Sequence, residues 1–199
     1  MLIATPRGDA RVDLYQPPGR RRPAALLVLG HGAGGSVDAP DLVAVRDAAV
    51  AAGVRVAMMT QPYRVAGKRA PAPAAWLDEA FAAVLTELAP GRLPLIVGGR
   101  SSGARVACRT ASAAGAAGVI CLAFPLHPPG RPDRSRDDEL PTTIPTLVVN
   151  GDRDPFGIPP ARPGVEVVVL PGQQHDLKRD PAAVAEAVLT WLTSHHWTR

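Results

Sequence analysis

Short, nearly continuous apolar runs alternate with longer segments of helical periodicity along this chain. Such runs are typical of strands buried on both faces of a parallel sheet, because neither face then needs polar side chains. We predict six strands of this kind, at Ala24–Leu29, Val54–Met59, Leu93–Val97, Val119–Phe124, Thr146–Val149 and Val165–Leu170. Two weaker runs, Leu2–Thr5 and Ala10–Tyr15, are expected to form an antiparallel hairpin at one edge of the sheet.

Start and stop signals between these runs predict four helices. They span Asp41–Ala52, Trp76–Leu88, Ser101 to about Ala114, and a last segment that begins at Pro181 with Asp180 as its N-cap. This alternation of strands and helices indicates an α/β fold with a mainly parallel central sheet flanked by helices. Ligands of such folds bind beyond the carboxyl ends of the strands, so we expect the functional residues in the loops there.

Composition limits the protein classes that remain. A length of 199 residues predicts a single domain, 1–199, and the 46% of hydrophobic and 20% of charged residues are ordinary for a globular protein. No apolar window is long enough to span a membrane and the N-terminal segment has no apolar leader, so we expect a cytoplasmic protein. The formal net charge is +4 with acids throughout, and Arg20-Arg21-Arg22 is interpreted as a solvated loop rather than a nucleic-acid site.

The sequence offers no cofactor or metal pattern. Cys108 and Cys121 form no C-x-x-C motif and lie in apolar segments, so both are predicted to be buried reduced thiols. His195 and His196 stand at the end of the last helix, where positive charge suits the helix dipole, and we do not interpret them as metal ligands. We expect a small-molecule substrate, no cofactor, no membrane or nucleic-acid partner, and either a monomer or a homodimer.

The strongest chemical signal lies at Gly99-Arg100-Ser101-Ser102-Gly103, between a predicted strand and a predicted helix. G-x-S-x-G in that setting is a nucleophile elbow, a turn so tight that the residues two before and two after the nucleophile crowd each other. Gly99 and Gly103 hold those positions around Ser101, whereas Ser102 has Arg100 and Ala104 there. Ser101 is therefore the predicted nucleophile, and the backbone N–H of Ser102 is an expected donor to an oxyanion.

The segment Gly30–Gly35 follows an earlier predicted strand and has two interpretations. It satisfies the dinucleotide pattern G-x-G-x-x-G, but the helix begins late and no acidic residue ends the next strand, at Met58-Met59-Thr60. The preferred interpretation is the oxyanion loop of a hydrolase, in which the backbone N–H of Ala33 is the second donor. His31 is interpreted as a structural residue that holds this loop.

An acid and a histidine follow in the order that the elbow requires, serine, then acid, then histidine. Asp152 and Asp154 compete for the acid position, and we prefer Asp154 because Asp152 lies hard against the strand end while Pro155 fixes the chain after Asp154. His175 is the histidine of the loop between the last strand and the last helix. In this prediction His175 takes the proton of Ser101 during attack, and Asp154 orients the imidazole.

The chain resembles the small lidless α/β-hydrolases related to dienelactone hydrolase, and among them the bacterial Tex30/KANSL3-type proteins. The resemblance runs from about Ala24 to Leu192. The matching stretches are Gly30–Gly34, Gly67–Pro71, Gly98–Ser101, Pro125–Gly130, Gly151–Gly157 and His175–Lys178. It implies an α/β-hydrolase fold without a lid domain and a Ser–Asp–His triad, which falls by position on Ser101, Asp154 and His175. The chain departs from the family at Ala104, where a second glycine is usual, and in the short proline-rich segment Ile158–Gly164, where we expect a turn in place of a helix.

Two cationic loops are expected to border the pocket. One is Gln61–Pro73, which carries Tyr63, Arg64, Lys68 and Arg69. The other is Leu126–Arg136, which carries His127, Arg131, Arg134 and Arg136. Tyr63, Arg69 and His127 are the candidate substrate-binding residues, and the hypothesis is that the loop arginines recognise an acidic group of the substrate. The alternative is ordinary solvated loop charge.

These residues predict a serine hydrolase that cleaves a small carboxylic ester or thioester through an acyl-enzyme. A peptidase or amidase would use the same triad. The alternative from another class is a non-catalytic interaction module on an α/β-hydrolase fold, because a fold alone does not dictate a function.

Overall fold

The computed structural model describes residues 1–19, 22–88 and 91–199. Arg20 and Arg21 lie outside the described residues, so the interpretation of the basic run as a solvated loop remains a prediction. The described chain forms one eight-stranded sheet in the order β1-β2-β4-β3-β5-β6-β7-β8. The strands are β1 Leu2–Thr5, β2 Gly8–Tyr15, β3 Leu26–Gly30, β4 Arg55–Thr60, β5 Leu95–Arg100, β6 Gly118–Leu122, β7 Thr146–Gly151 and β8 Val165–Leu170.

The sheet is mainly parallel, as predicted. From β4 to β8 all neighbouring strands run parallel, whereas β1 pairs with β2, and β2 with β4, in antiparallel register. The expected N-terminal hairpin is therefore confirmed at one edge. Every residue of β3, β6 and β7 is buried, because helices cover both faces of the sheet.

The helices divide between the two faces. They are α1 Pro40–Ala51, α2 Pro62–Val65, α3 Ala74–Leu88, α4 Ser102–Ala111 and α5 Pro181–Ser194. Helices α1 and α5 pack over one face, and α3 and α4 over the other. Successive residues of β3 alternate accordingly, since Leu27 and Leu29 join the α1/α5 core while Leu26 and Val28 join the α3/α4 core.

The helix boundaries agree in part with the sequence predictions. The N-cap prediction is confirmed, because the Asp180 side chain accepts a hydrogen bond from the Ala183 N–H. The short helix α2, in a segment predicted as loop, is an addition to the sequence prediction. Helix α4 ends at Ala111 rather than about Ala114, and a turn follows it. No helix forms between Ile158 and Gly164, as expected.

Both cysteines are buried free thiols, as predicted. Their Sγ atoms lie 3.3 Å apart, and burial raises the pKa of the Cys121 thiol well above its usual range. Within the described ranges, none of the helices is long and apolar enough to cross a bilayer.

Candidate active site

The turn between β5 and α4 presents Ser101 at the carboxyl edge of the sheet. Ser101 adopts φ +54° and ψ −111°, a backbone conformation that L-residues other than glycine rarely occupy. Its N–H donates to the Leu122 carbonyl oxygen (2.8 Å), which ties the strained turn to β6. The hydroxyl therefore projects from the end of a buried strand at the N-terminus of a helix.

Close backbone contacts require glycine on both sides of this serine. A Cβ at Gly99 would lie 2.5 Å from the Gly30 oxygen and 2.8 Å from the Gly103 carbonyl carbon. A Cβ at Gly103 would lie 2.5 Å from the Gly30 oxygen and 2.7 Å from the His31 oxygen. These distances are shorter than any allowed contact, so the spacing argument that selected Ser101 over Ser102 has a direct steric cause.

The loops after β7 and β8 bring Asp154 and His175 to the same edge. His175 Nε2 lies 2.9 Å from Ser101 Oγ, and His175 Nδ1 lies 2.8 Å from Asp154 Oδ2. The two loops approach so closely that a Cβ at Gly151 would lie 2.2 Å from the Gln173 oxygen. In this geometry the imidazole can accept the hydroxyl proton on one nitrogen while it donates to the carboxylate on the other.

The carboxylate of Asp154 is itself held in place. Its side chain is 0% exposed, and Oδ1 accepts the Phe156 N–H at 2.9 Å. Asn150 Nδ2 donates to Oδ2 at 3.4 Å, and the Phe156 ring packs edge-on against the His175 ring. Asp152, the competing acid, is exposed, so the structure brings Asp154 and not Asp152 to the imidazole.

The two residues predicted to form the oxyanion hole, Ala33 and Ser102, lie beside Ser101. Ala33 and Ser102 both line the cavity there, and neither N–H donates to another group within the described residues. Ser102 opens α4, so its N–H carries the positive end of the helix dipole as well. Both N–H groups therefore remain available as donors beside the Ser101 hydroxyl, as the prediction of an oxyanion hole requires.

His31 supports this loop from behind. It is 3% exposed, its Nε2 accepts the Gln61 N–H (3.1 Å), and Nδ1–H therefore donates to the Gly32 oxygen (2.8 Å). Burial lowers the pKa of His31, so the ring is held neutral. These contacts are those of a structural histidine, in keeping with the interpretation drawn from the sequence.

Arg100 links three parts of the site in a way the sequence did not indicate. Its Nη2 donates to the His175 carbonyl oxygen (3.3 Å), and its Nε lies 3.2 Å from the carboxylate of Asp41, whose side chain is 0% exposed. Burial raises the pKa of Asp41, and the Arg100 charge opposes that rise. The β5–α4 turn, the His175 loop and the start of α1 are thereby joined.

A cavity of about 550 Å³ opens in front of Ser101. Ala33, Ser102 and His175 line it close to the hydroxyl, and the remaining wall is apolar except for guanidinium groups. The apolar wall includes Pro71, Leu77, Pro125, Pro129 and Phe156. Four arginines also line the cavity: Arg100, described above, and Arg105, Arg109 and Arg136.

The three predicted substrate-binding residues lie outside that wall. Tyr63 is buried and its hydroxyl accepts the Gly34 N–H (3.3 Å), so it supports the oxyanion loop instead. Arg69 is exposed, and the ring of His127 lies beside Gly157. Arg105 and Arg109 were not singled out from the sequence, although they follow Ser101 by four and eight residues and so share its helix face.

No group of three or more histidine, cysteine or acidic residues in the described segments is arranged to hold a metal ion. Asp154 contacts His175, and His175 in turn contacts Ser101, so the ring nitrogens of this histidine are both engaged by protein groups.

The sequence and the fold are similar to those of known hydrolases. Residues 23–186 match the family described as an alpha/beta hydrolase domain. XC6422 from Xanthomonas campestris, an a/b serine hydrolase without a lid, is similar with a TM-score of 0.80 at 21% identity, over 98% of this chain and 93% of that chain. Est1E from Butyrivibrio proteoclasticus with bound ferulic acid has a TM-score of 0.81 at 19% identity, over 98% of both chains.

A dienelactone hydrolase from Anabaena variabilis has a TM-score of 0.76 at 19% identity, over 100% of this chain and 97% of that chain. No curated protein matches the sequence. At identities this low, the likenesses show a common fold alone. The description of XC6422 as lidless agrees with the architecture expected from the sequence. Since the matched region spans most of the sequence, the chain belongs to the alpha/beta hydrolase domain family.

Proposed function

We propose that this chain is a serine hydrolase that cleaves a small carboxylic ester or thioester, with residues 1–199 acting as a single catalytic domain. The observation that carries the proposal is the unbroken path from Ser101 Oγ through His175 to Asp154, with contacts of 2.9 and 2.8 Å. The resemblance to the Tex30/KANSL3-type proteins belongs to this proposal, and it names a triad rather than a substrate.

The reaction has two halves. Ser101 Oγ attacks the carbonyl carbon of the substrate while its proton passes to His175 Nε2, and Asp154 stabilises the imidazolium. The negative charge on the carbonyl oxygen is stabilised by the N–H groups of Ala33 and Ser102, each typically worth about 3–4 kcal/mol. The C–O or C–S bond then breaks as His175 returns the proton to the leaving group.

The second half restores the enzyme. Water, deprotonated by His175, attacks the acyl-Ser101 ester, and the tetrahedral intermediate collapses to a carboxylic acid and free Ser101. The open cavity admits water and substrates of modest size, which supports small acyl compounds over long-chain lipids.

The test is covalent labelling with a fluorophosphonate, which reacts with activated serines. We expect one adduct, mapped by mass spectrometry to Ser101 and not Ser102, and we expect His175→Ala to abolish it. His196→Ala is the matched control because His196 is exposed at the end of α5. A folded protein that shows no adduct would overturn the proposal in favour of a non-catalytic interaction module. A panel of short esters, thioesters and amides then identifies the bond that is cleaved.

A further inference from the structure

The end of the cavity formed by α4 and the β6–β7 loop is cationic. Arg105 and Arg109 lie on the same face of α4 as Ser101, about 6 Å and about 12 Å farther along the helix axis. Arg136 comes from the loop that follows β6 and lines the same cavity. Three guanidinium groups therefore border the space in which a substrate of Ser101 would lie.

Two of the three charges are neutralised within the protein. Arg105 Nε donates to Glu139 Oε2 at 2.8 Å, and its Nη2 contacts the same carboxylate. Arg109 donates to Asp78 at 2.7 and 2.8 Å and to Glu139 at 3.0 Å. Burial alone would raise the pKa of Glu139, but these two arginines outweigh it and lower that pKa, so the carboxylate is charged. Two cations thus face two anions.

Arg136 has no such partner. Its guanidinium lies within 4 Å of no carboxylate in the described residues, and the one hydrogen bond that this group makes within them is to the Pro125 carbonyl oxygen, at 3.4 Å. Arg136 is half-buried, and burial together with the neighbouring Arg105 and Arg109 charges lowers the pKa of Arg136, although the Glu139 charge opposes that decrease. Among the three arginines at this end of the cavity, Arg136 is therefore the one without an ion pair in the described residues.

Another arginine on the same loop shows the contrast. Arg131 is paired with Asp133 at 3.1 Å, and the two side chains are 54% and 63% exposed. Arg131 thus has a counter-ion within 4 Å, whereas Arg136, which lines the cavity, has none in the described residues. A half-buried cation without a counter-ion is stabilised when an external anion supplies the missing charge.

We propose that Arg136, beside the neutralised Arg105 and Arg109 pairs, is a subsite for a substrate carboxylate, so that the esters cleaved at Ser101 carry an acid group. This inference rests on the proposed hydrolase function. The planar guanidinium can bind both carboxylate oxygens at once. Because Arg136 and Ser101 line one cavity of about 550 Å³, the expected substrates are short compounds such as half-esters of small dicarboxylic acids. Arg136 belongs to one of the two cationic loops that the sequence suggested, whereas Arg69 and Arg131 of those loops do not line the cavity.

The test compares acidic and neutral esters that are otherwise alike. On the acyl side the pair is 4-nitrophenyl hydrogen glutarate and 4-nitrophenyl pentanoate, and on the alcohol side it is 4-acetoxybenzoate and 4-methylphenyl acetate. The measured quantity is the ratio of kcat/KM for the acidic ester to that for its neutral partner. We expect Arg136→Met to lower this ratio about ten- to hundredfold in at least one pair. Arg136→Lys, which retains the charge without the planar fork, should lower it less.

Arg131→Met is the matched control, since it removes an exposed arginine from the same loop, and its ratio should equal that of the wild type. A measurement on the wild type alone guards against a variant that fails to fold: glutarate should inhibit hydrolysis of the neutral ester more strongly than glutaramide does. The subsite is overturned if Arg136→Met and the wild type have equal kcat/KM ratios in both ester pairs. It is also overturned if glutarate and glutaramide inhibit the wild type equally. If fluorophosphonate still labels Ser101 in that case, the hydrolase proposal stands; absence of both labelling and turnover refutes that proposal itself.

Discussion

Replacement of Gly103 by alanine tests the steric origin of the elbow. The added methyl carbon would lie 2.5 Å from the Gly30 oxygen, 2.7 Å from the Gly30 carbonyl carbon and 2.7 Å from the His31 oxygen. All three are backbone atoms at the end of β3, so no flexible side chain can move aside. To reach an ordinary contact the oxyanion loop must shift by roughly 1 Å relative to α4.

The size of the effect follows from that displacement. Overpacking of this kind typically costs about 1–3 kcal/mol, and the better helix propensity of alanine returns up to about 1 kcal/mol. We therefore expect the free energy of unfolding to fall by about 1–2 kcal/mol, which in a protein of this size lowers Tm by about 2–8 °C. The shift also displaces the Ala33 N–H from the oxyanion, and a misplacement of about 1 Å can reduce kcat about a hundredfold.

Gly30→Ala is the control, because Gly30 faces Gly103 across the same contact. A Cβ at Gly30 would have its nearest neighbours at 3.7 Å, which is ordinary van der Waals contact, and Gly30 has no positive φ. Thermal unfolding followed by circular dichroism and steady-state hydrolysis of a neutral ester measure the two effects. If Gly103→Ala unfolds at the wild-type temperature with wild-type kcat, or if Gly30→Ala is equally damaging, the steric explanation of the elbow is wrong.

Three further predictions concern the triad and its surroundings. Asp154→Asn should lower kcat by about 10⁴-fold, because the imidazole would then be held in the wrong tautomer. Asp152→Asn, at an exposed site, should change kcat only a few-fold. Steady-state ester hydrolysis measures both. Arg100→Met leaves the buried Asp41 carboxylate unpaired and should destabilise the protein by about 3–5 kcal/mol in denaturant titrations at neutral pH. Because burial raises the pKa of Asp41, that deficit should shrink as acidification protonates the carboxyl, and a constant deficit would contradict the pairing. Burial lowers the pKa of His31 from its ordinary 6.5, so the wild type should lose stability as pH falls from about that value through the folded-state pKa, and this loss should be absent in His31→Gln.

The strand pattern was predictable because burial on both faces leaves a continuous apolar signature. The boundaries at β5 show the limit of that signal. The predicted run Leu93–Val97 begins two residues early, since Pro94 has no N–H to donate to the ladder, and it ends three residues early. Gly98 and Gly99 continue the strand by pairing with β3 and β6, although their composition suggested a turn.

The convergence of Ser101, Asp154 and His175 was also predictable, because parallel strands place successive loops at one edge of the sheet. The partners of the charged side chains were not. Which acid neutralises Arg105 depends on the path of the β6–β7 loop, and periodicity carries no information about that path. The role of Asp41 was hidden for the same reason, since its position in the first turn of α1 is explained equally well by the helix dipole.

The two kinds of residue in this site therefore depend on the sequence in different ways. The reacting groups lie where backbones touch, at Gly99 and Gly103 around the elbow and at Gly151 against the His175 loop, and a contact that only glycine permits leaves a mark in the sequence. The cationic wall is formed by side chains. The Arg136 guanidinium donates one hydrogen bond to backbone, to the Pro125 carbonyl oxygen at 3.4 Å, and none of the close glycine contacts involves it. It follows that Arg136 can be substituted without moving the triad, and that substrate preference and attack on a small neutral probe should vary independently. A variant of Arg136 that lost fluorophosphonate labelling while remaining folded would show that the two are coupled after all.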